Sequence, residues 1–399
     1  MLHHFALFTL ALALPFACSD ADGGVCGDGV VDPDEACDAA GEGCDAACHL
    51  TGATAWTVTR IDPDWYTNIL DIAVGPSGRI AVLGVTHDTS SPYGTAWALA
   101  LAPDGSELWR TEFAGLDLDS LFPPHIAVDA DDGVLVQSTD LRRLDRDGQT
   151  AWKIDPEDSG YTAMTASAGV VYLAGFCTVD LAADEYTACT SRIDPSGDSV
   201  WEWRADDSIN YWPMALAVAG DSLVTLVSRF ESMKKDGESQ LLRFDLESGA
   251  PGPVTDLESL PEPNLFAGLR GGDVVLTSVV DDKGVVHRIG PDGEVRWTVP
   301  AEFNRFTGIL DLAAGPDDSV VLVGDTRDEP RANPVMTGIA RALDGDGVLA
   351  WDLDLPPESP WGLVSIHAAA HGPGFLVIAG DTSDGFDNRG TWISRIGPP

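Results

Sequence analysis

Five hairpins carrying one Gly-x-x-x-Trp signature, a second hairpin upstream of each, and two chain ends that complete each other predict the fold. It is all-β: a seven-bladed β-propeller of four-stranded blades closed by the N-terminal strand and preceded by a small disulfide-rich module. The signature reads "ALAPDGSELW" (Gly105, Trp109), "RLDRDGQTAW" (Gly148, Trp152), "RIDPSGDSVW" (Gly197, Trp201), "RIGPDGEVRW" (Gly293, Trp297) and "ALDGDGVLAW" (Gly347, Trp351). Another copy, "RFDLESGAPGP", keeps Gly249 but has Pro253 at the tryptophan place. The glycines fall 43 to 54 residues apart, the period of a four-stranded blade.

The chain opens on "MLHHFALFTLALALPFAC". Its apolar run from Phe5 to Ala17 is shorter than the about 20 residues a membrane-spanning helix needs and reads as the core of a signal peptide, residues 1–17. Ala17, Cys18 and the polar "SDADGG" resemble the lipobox of bacterial lipoproteins. That resemblance implies lipid on Cys18, a tether over residues 18–25, membrane attachment through the anchor alone, and a place in the bacterial cell envelope, on the outer membrane or outside the cell. Pro15 stands where the family has Leu, and His3 and His4 replace its Lys or Arg.

Seven cysteines are an odd number for an exported chain. With Cys18 lipidated, six remain: Cys26, Cys37, Cys44 and Cys48 close together, and Cys177 with Cys189. The segment "CGDGVVDPDEACDAAGEGCDAACHL", in a module spanning 26–50, resembles the cysteine-rich repeat of myxobacterial surface proteins, which implies disulfides. So short a segment buries too little apolar surface to fold unaided, and three pairings of its cysteines are open. A zinc site is the other use of four cysteines. Asp28, Asp32, Glu35 and Asp38 are either solvated acids or a calcium site. Cys177 and Cys189 flank a loop between two strands lying about 5 Å apart, which suits a structural bridge worth roughly 3 kcal/mol.

Residues 51–399 form the propeller. "TGATAWTVTR" (51–60) has the Gly52 and Trp56 half of the signature, and "TWISRIGPP" at the far end has the other half, so the two strands pair. Each blade begins with an inner hairpin such as "ILDIAVGPSGRIAVLG" or "ILDLAAGPDDSVVLVG". The seven start near Ile69, Phe122, Tyr161, Trp212, Phe266, Ile309 and Trp361. These units resemble bacterial seven-bladed propeller repeats and, in their outer tryptophans, quinoprotein-like repeats. Such a fold hosts many functions.

The 64 acidic against 23 basic residues give a formal charge of −41, which excludes nucleic acid as a partner and suits a soluble exported chain, likewise in salty or calcium-rich surroundings. Quinoprotein dehydrogenases have adjacent cysteines, and this chain has none. Nucleophile-elbow, zinc-protease and P-loop patterns are absent, so no catalytic residue, metal ligand or cofactor is assigned, with Ca2+ the one cofactor left open. His367 and His371 in "HAAAH" stand about 13 Å apart on an extended strand, too far to share a metal. "DADDG" (129–133) and "DGDG" (344–347) are hairpin turns or calcium loops.

Aromatics recur in the loops entering the inner strands: Trp65, Tyr66, Phe122, Tyr161, Tyr211, Trp212, Phe266, Phe303, Phe306 and Trp361. They either pack between blades or bind a ligand; the ligand-binding candidates are Trp65, Tyr66, Tyr161, Tyr211, Trp212, Phe306 and Trp361. The sequence is thus read as a monomeric envelope lipoprotein whose propeller binds or scaffolds a protein or glycan. The alternatives are an extracellular enzyme, glycan-acting or quinoprotein-like, and a calcium-dependent structural or adhesive surface protein.

Overall fold

The computed structural model describes residues 37, 44, 49–62, 66–87, 93–117, 124–138, 140–154, 159–167, 170–180, 185–206, 210–230, 238–257, 260, 263, 265–280, 283–301, 308–327, 336–355, 363–383 and 389–397. Within them 28 strands form seven antiparallel blades of four, the last two linked by a single parallel bridge, Met336 to Leu363. The inner strands begin at Tyr66, His125, Ser159, Asn210, Phe266, Gly308 and Leu363, each within three residues of the start read from the sequence. No helix among the described residues is long and apolar enough to cross a membrane.

The N-terminal strand, Thr54–Asp62, runs antiparallel to Arg389–Ile396 with Val58 opposite Ile393, making it the outer strand of the seventh blade. Its carbonyls and amides thereby cover an edge that the final strand would otherwise leave open.

The signature explains how blades meet. Each tryptophan on an outer strand lies against the glycine of the next copy: Trp56 on Gly105, Trp109 on Gly148, Trp152 on Gly197, Trp201 on Gly249, Trp297 on Gly347 and Trp351 on Gly52. A Cβ on any of these glycines would stand 2.5–3.1 Å from the indole, and all six adopt left-handed φ between 67° and 93°. Only glycine meets both demands without strain. The indole N–H then donates to a carbonyl in the same neighbouring turn, as from Trp56 to Pro103 (3.0 Å), Trp109 to Arg146 (2.9 Å) and Trp297 to Gly345 (2.9 Å). Where Pro253 replaces the tryptophan, the following glycine, Gly293, faces Thr255 instead.

Arginines of the third strands strengthen the same end of the ring. Arg288 reaches Asp273 in its own blade (2.6 Å) and both Gly345 O and Asp318 in the next, while Arg192 reaches Leu246 O and Glu247. Between blades the second strands contribute near-continuous Ala, Val, Leu and Ile runs, as Ile80 through Val85, because both of their faces are covered.

Cys37 and Cys44 are disulfide-bonded and fully buried, packed with Leu50 into the cluster between the sixth and seventh blades that includes Val321, Ile378 and Trp351. These three residues therefore share a core with the ring between its last two blades. Cys177 and Cys189 are also bonded. They are diagonal rather than face to face, Cys177 pairing with Thr187 and Cys189 with Gly175. Residues 1–17, Cys18, the tether, Cys26, Cys48 and the acids Asp28, Asp32, Glu35 and Asp38 lie outside the described residues.

Candidate functional site in the axial cavity

Strand pairing aligns the seven inner strands residue by residue. In one layer around the axis stand Asp71, His125, Ala163, Ala215, Leu265, Asp311 and Ala368, in blade order. In five blades a β-bulge falls just before this layer, inserting Leu70, Thr162, Met214, Leu310 or His367. Such bulges bend a strand and re-aim its side chains, here at the end of the axis where the chain enters each blade.

Asp71 and Asp311 act as matching braces. Asp71 accepts from Ile72 N (2.7 Å) and, across to the second blade, from Ile126 N (2.9 Å). Asp311 accepts from Leu312 N (2.7 Å) and, across to the seventh blade, from Ala369 N (2.8 Å). Beside the first brace is His125, whose Nδ1 is 3.6 Å from Asp71 and whose Nε2 lies 3.0 Å from the carbonyl of Thr162 in the third blade. Burial opposes a charge on His125, but Asp71 and that carbonyl outweigh it, so its pKa is raised. Asp311 has Ala368 at the corresponding place and gains no such cation. Burial, with Asp71 repelling a second negative charge, pushes Asp311 up to about 7.

These groups line an axial cavity of about 430 Å3. Its opposite wall is apolar, formed by Met164, Met214, Leu216, Leu265 and Phe266. Three residues beyond the Asp layer, His371 lines the same cavity. Its Nε2 is buried without a hydrogen-bond partner, and burial holds the ring neutral by lowering its pKa to about 4. His367, on the same strand, turns elsewhere, to Asp381 (3.1 Å), whose other oxygen accepts from Ile69 N of the first blade. The two histidines of "HAAAH" thus serve separate sites.

The sequence-derived candidates divide. Tyr161 and Tyr211 are half-buried against clusters between blades. Trp212 is 40% exposed and meets Phe176 edge-on at 4.9 Å, two residues from Met214 on the cavity wall. Trp65, Phe122, Phe303, Phe306 and Trp361, and the side chain of Tyr66, lie outside the described residues. "DADDG" and "DGDG" are hairpin turns in which Asp129 and Asp344 accept backbone amides of their own turn. Among the described residues no three His, Cys, Asp or Glu side chains are grouped to hold a metal ion.

A Ser-His-Thr constellation in the fifth blade, with Ser278 Oγ 2.8 Å and Thr298 Oγ1 3.1 Å from the His287 ring, satisfies a buried core histidine whose pKa burial lowers. Sequence reasoning missed Asp71, His125 and Asp311. The available signal was an acid inside two otherwise apolar inner strands, "ILDIAV" and "ILDLAA".

No family model matches the chain, and no curated protein matches it significantly. Among solved structures it is similar to Sqt1 from Chaetomium thermophilum, at 10% identity and a TM-score of 0.50, covering 85% of this chain and all of that one. It is also similar to the Dos1 propeller, at 11% identity and 0.47, covering 83% and 94%. A third likeness is to XC5397, a gluconolactonase from Xanthomonas campestris, at 16% identity and 0.37, covering 85% and 90%. At 10% identity the likeness to Sqt1 shows the fold alone, and the strand pairing makes that fold a seven-bladed β-propeller.

Proposed function

We propose that this chain is a cell-envelope lipoprotein whose propeller is a ligand-binding module with its site in the axial cavity. The anchor rests on Cys18, the signal-like run before it and the odd cysteine count. Two disulfides among the described residues accord with an oxidising compartment. The observation that carries the binding reading is the cavity itself: a polar side formed by Asp71, His125 and Asp311 faces an apolar wall inside a rigid ring. Sites of this size with a few convergent polar groups are the usual form of small-molecule recognition.

Binding is favoured over catalysis because both oxygens of each carboxylate and both ring nitrogens of His125 are already engaged, which holds these groups in place. The enzymatic reading keeps one supporting observation, an acid titrating near neutrality, as general acid–base catalysis requires. A thermal-shift screen of sugars, acids, amines and nucleosides against the wild type and Ala73→Phe, which fills the cavity, tests the proposal. Compounds that stabilise only the wild type support it; equal responses of both proteins contradict it. Conversion of a hit to product would move the reading to catalysis.

A further inference from the structure

We infer that the fifth blade docks an extended, apolar segment of a partner protein, flanked by lysine or arginine, which adds a strand at the inner edge of Val279. The second strand of this blade runs Val274–Val280, but its inner strand, Phe266–Gly268, pairs only with Val274, Val275 and Leu276. One further bond, from Thr277 N to Leu265 O (3.1 Å), ends the ladder. In the flanking blades the ladder goes on. The residues level with Val279 are Ser228 in the fourth blade, paired with Trp212, and Asp325 in the sixth, paired with Gly308. Among the described residues the rung opposite Val279 is open.

The direction of the free backbone groups follows from the pairing on the other side. Val279 stands opposite Gly284, whose carbonyl accepts from Ala301 N (3.0 Å) on the side of the outer strand. In an antiparallel ladder the two residues of a rung either bond each other or both turn away, so Val279 N–H and C=O point towards the axis, as Thr277 N does. Among the described residues nothing takes them there. Pro263, two residues before Leu265, is next in line for that rung and has no N–H to donate. Val279 is 51% exposed, so this edge lies at the surface.

The side chains around the open rung are apolar. Of the exposed large hydrophobic residues described, Trp212, Met214, Val279, Val280 and Leu310 gather where the chain enters the fourth to sixth blades, whereas the others stand on or beside outer strands. A chain laid against Val279 passes between Trp212 and Leu310 and meets apolar surface on both sides. Strand addition uses this combination: backbone bonds hold the segment and neighbouring side chains select its sequence. A helix, its backbone groups already bonded internally, has none to give Val279. Charge sets the flanks. Asp281 and Asp282 follow Val280 directly in sequence, and Asp206, Glu238 and Asp256 are exposed at the same end of the third and fourth blades, against Arg229. The acids prevail, in keeping with the −41 of the whole chain, so the residues beside the docked segment are cationic.

Amide hydrogen exchange of the full mature chain tests this with an acetylated, amidated heptapeptide of alternating valine and threonine with lysine at both ends. The same peptide with glutamate at both ends is the comparator. The lysine peptide is expected to slow exchange at Val279 N–H at least about tenfold and to leave Ser278 N–H, which faces Val285 within the blade, unchanged. It should bind at least about tenfold tighter than the glutamate peptide at low salt, with the gap narrowing as salt rises. Val279→Pro, which removes a donor unused within the blade, and Leu310→Ser should each weaken binding about tenfold. If Val279→Pro fails to fold, Leu310→Ser and exchange at Val279 decide. Unchanged exchange at Val279, undiminished binding by a folded Val279→Pro, or equal binding of the two peptides overturns the inference. Slowed exchange confined to the axial layer around Asp71 and His125 would also overturn it, while leaving the axial site standing.

Discussion

A Cβ placed on Gly52 would stand 3.0 Å from Cε3 of Trp351, so the glycine that opens the N-terminal strand is the seat for the last blade-joining tryptophan. Four residues on, Trp56 rests on Gly105 of the first blade. The first strand therefore closes the ring twice, by its hydrogen bonds to Arg389–Ile396 and by taking both roles in the glycine–tryptophan contact.

Gly52→Ala tests that contact. The left-handed backbone at φ 80° costs alanine about 1–2 kcal/mol, and displacement of the indole adds to it. Gly308→Ala, where the new Cβ meets nothing closer than 3.7 Å, is the control. Urea denaturation should show a clear loss for the first and little for the second, and deletion of residues 51–60 should lower the melting temperature sharply. Equal stability of all these proteins would contradict the closure.

The bond between Cys177 and Cys189 closes a sequence separation of 12 and pins two strands of the third blade at a buried site. Cys177→Ala with Cys189→Ala is expected to cost about 3 kcal/mol by loss of the cross-link. Guanidinium unfolding under oxidising and reducing conditions checks it. Under reducing conditions, which also open Cys37–Cys44, the double variant and the wild type should be equally stable, whereas under oxidising conditions the wild type should be the more stable.

Acid and base act on the axial groups in opposite senses. His371 has a folded pKa of about 4, below its unfolded value, so its contribution is present above about pH 6.5 and is lost as pH falls towards 4, by up to roughly 3 kcal/mol. Asp311 is raised to about 7, so the folded chain holds a proton that the unfolded chain has released, and its contribution declines as pH rises from about 4 to 7. Stability measured across this range should lose its acid limb in His371→Leu and its neutral limb in Asp311→Asn.

Metabolic labelling with a palmitate analogue should tag the protein expressed with its full leader, and Cys18→Ala should abolish the tag. Undiminished labelling of the variant would contradict the anchor.

The ring was legible because its joints depend on residue identity. A left-handed glycine under an indole is strained by any substitute, so Gly105 and Trp56, or Gly347 and Trp297, mark six of the seven joints in plain text. The axial site was not legible for the opposite reason. Asp71 meets Ile126 and His125 only because neighbouring blades bring together residues more than fifty positions apart, and a bulge sets which way the Asp faces. Of the recurrent aromatic candidates with described side chains, Tyr161 and Tyr211 pack against clusters between blades, while Trp212 is exposed, a difference their shared place in the repeat does not reveal.

The most direct test of the axial cavity as the binding site is electron density. Crystals of the mature chain soaked with the compound ranked first in the thermal-shift screen should show it along the axis, between Asp311 and His371 and against Met164. Density on the outer rim of the blades, with the axis unchanged, would contradict the account.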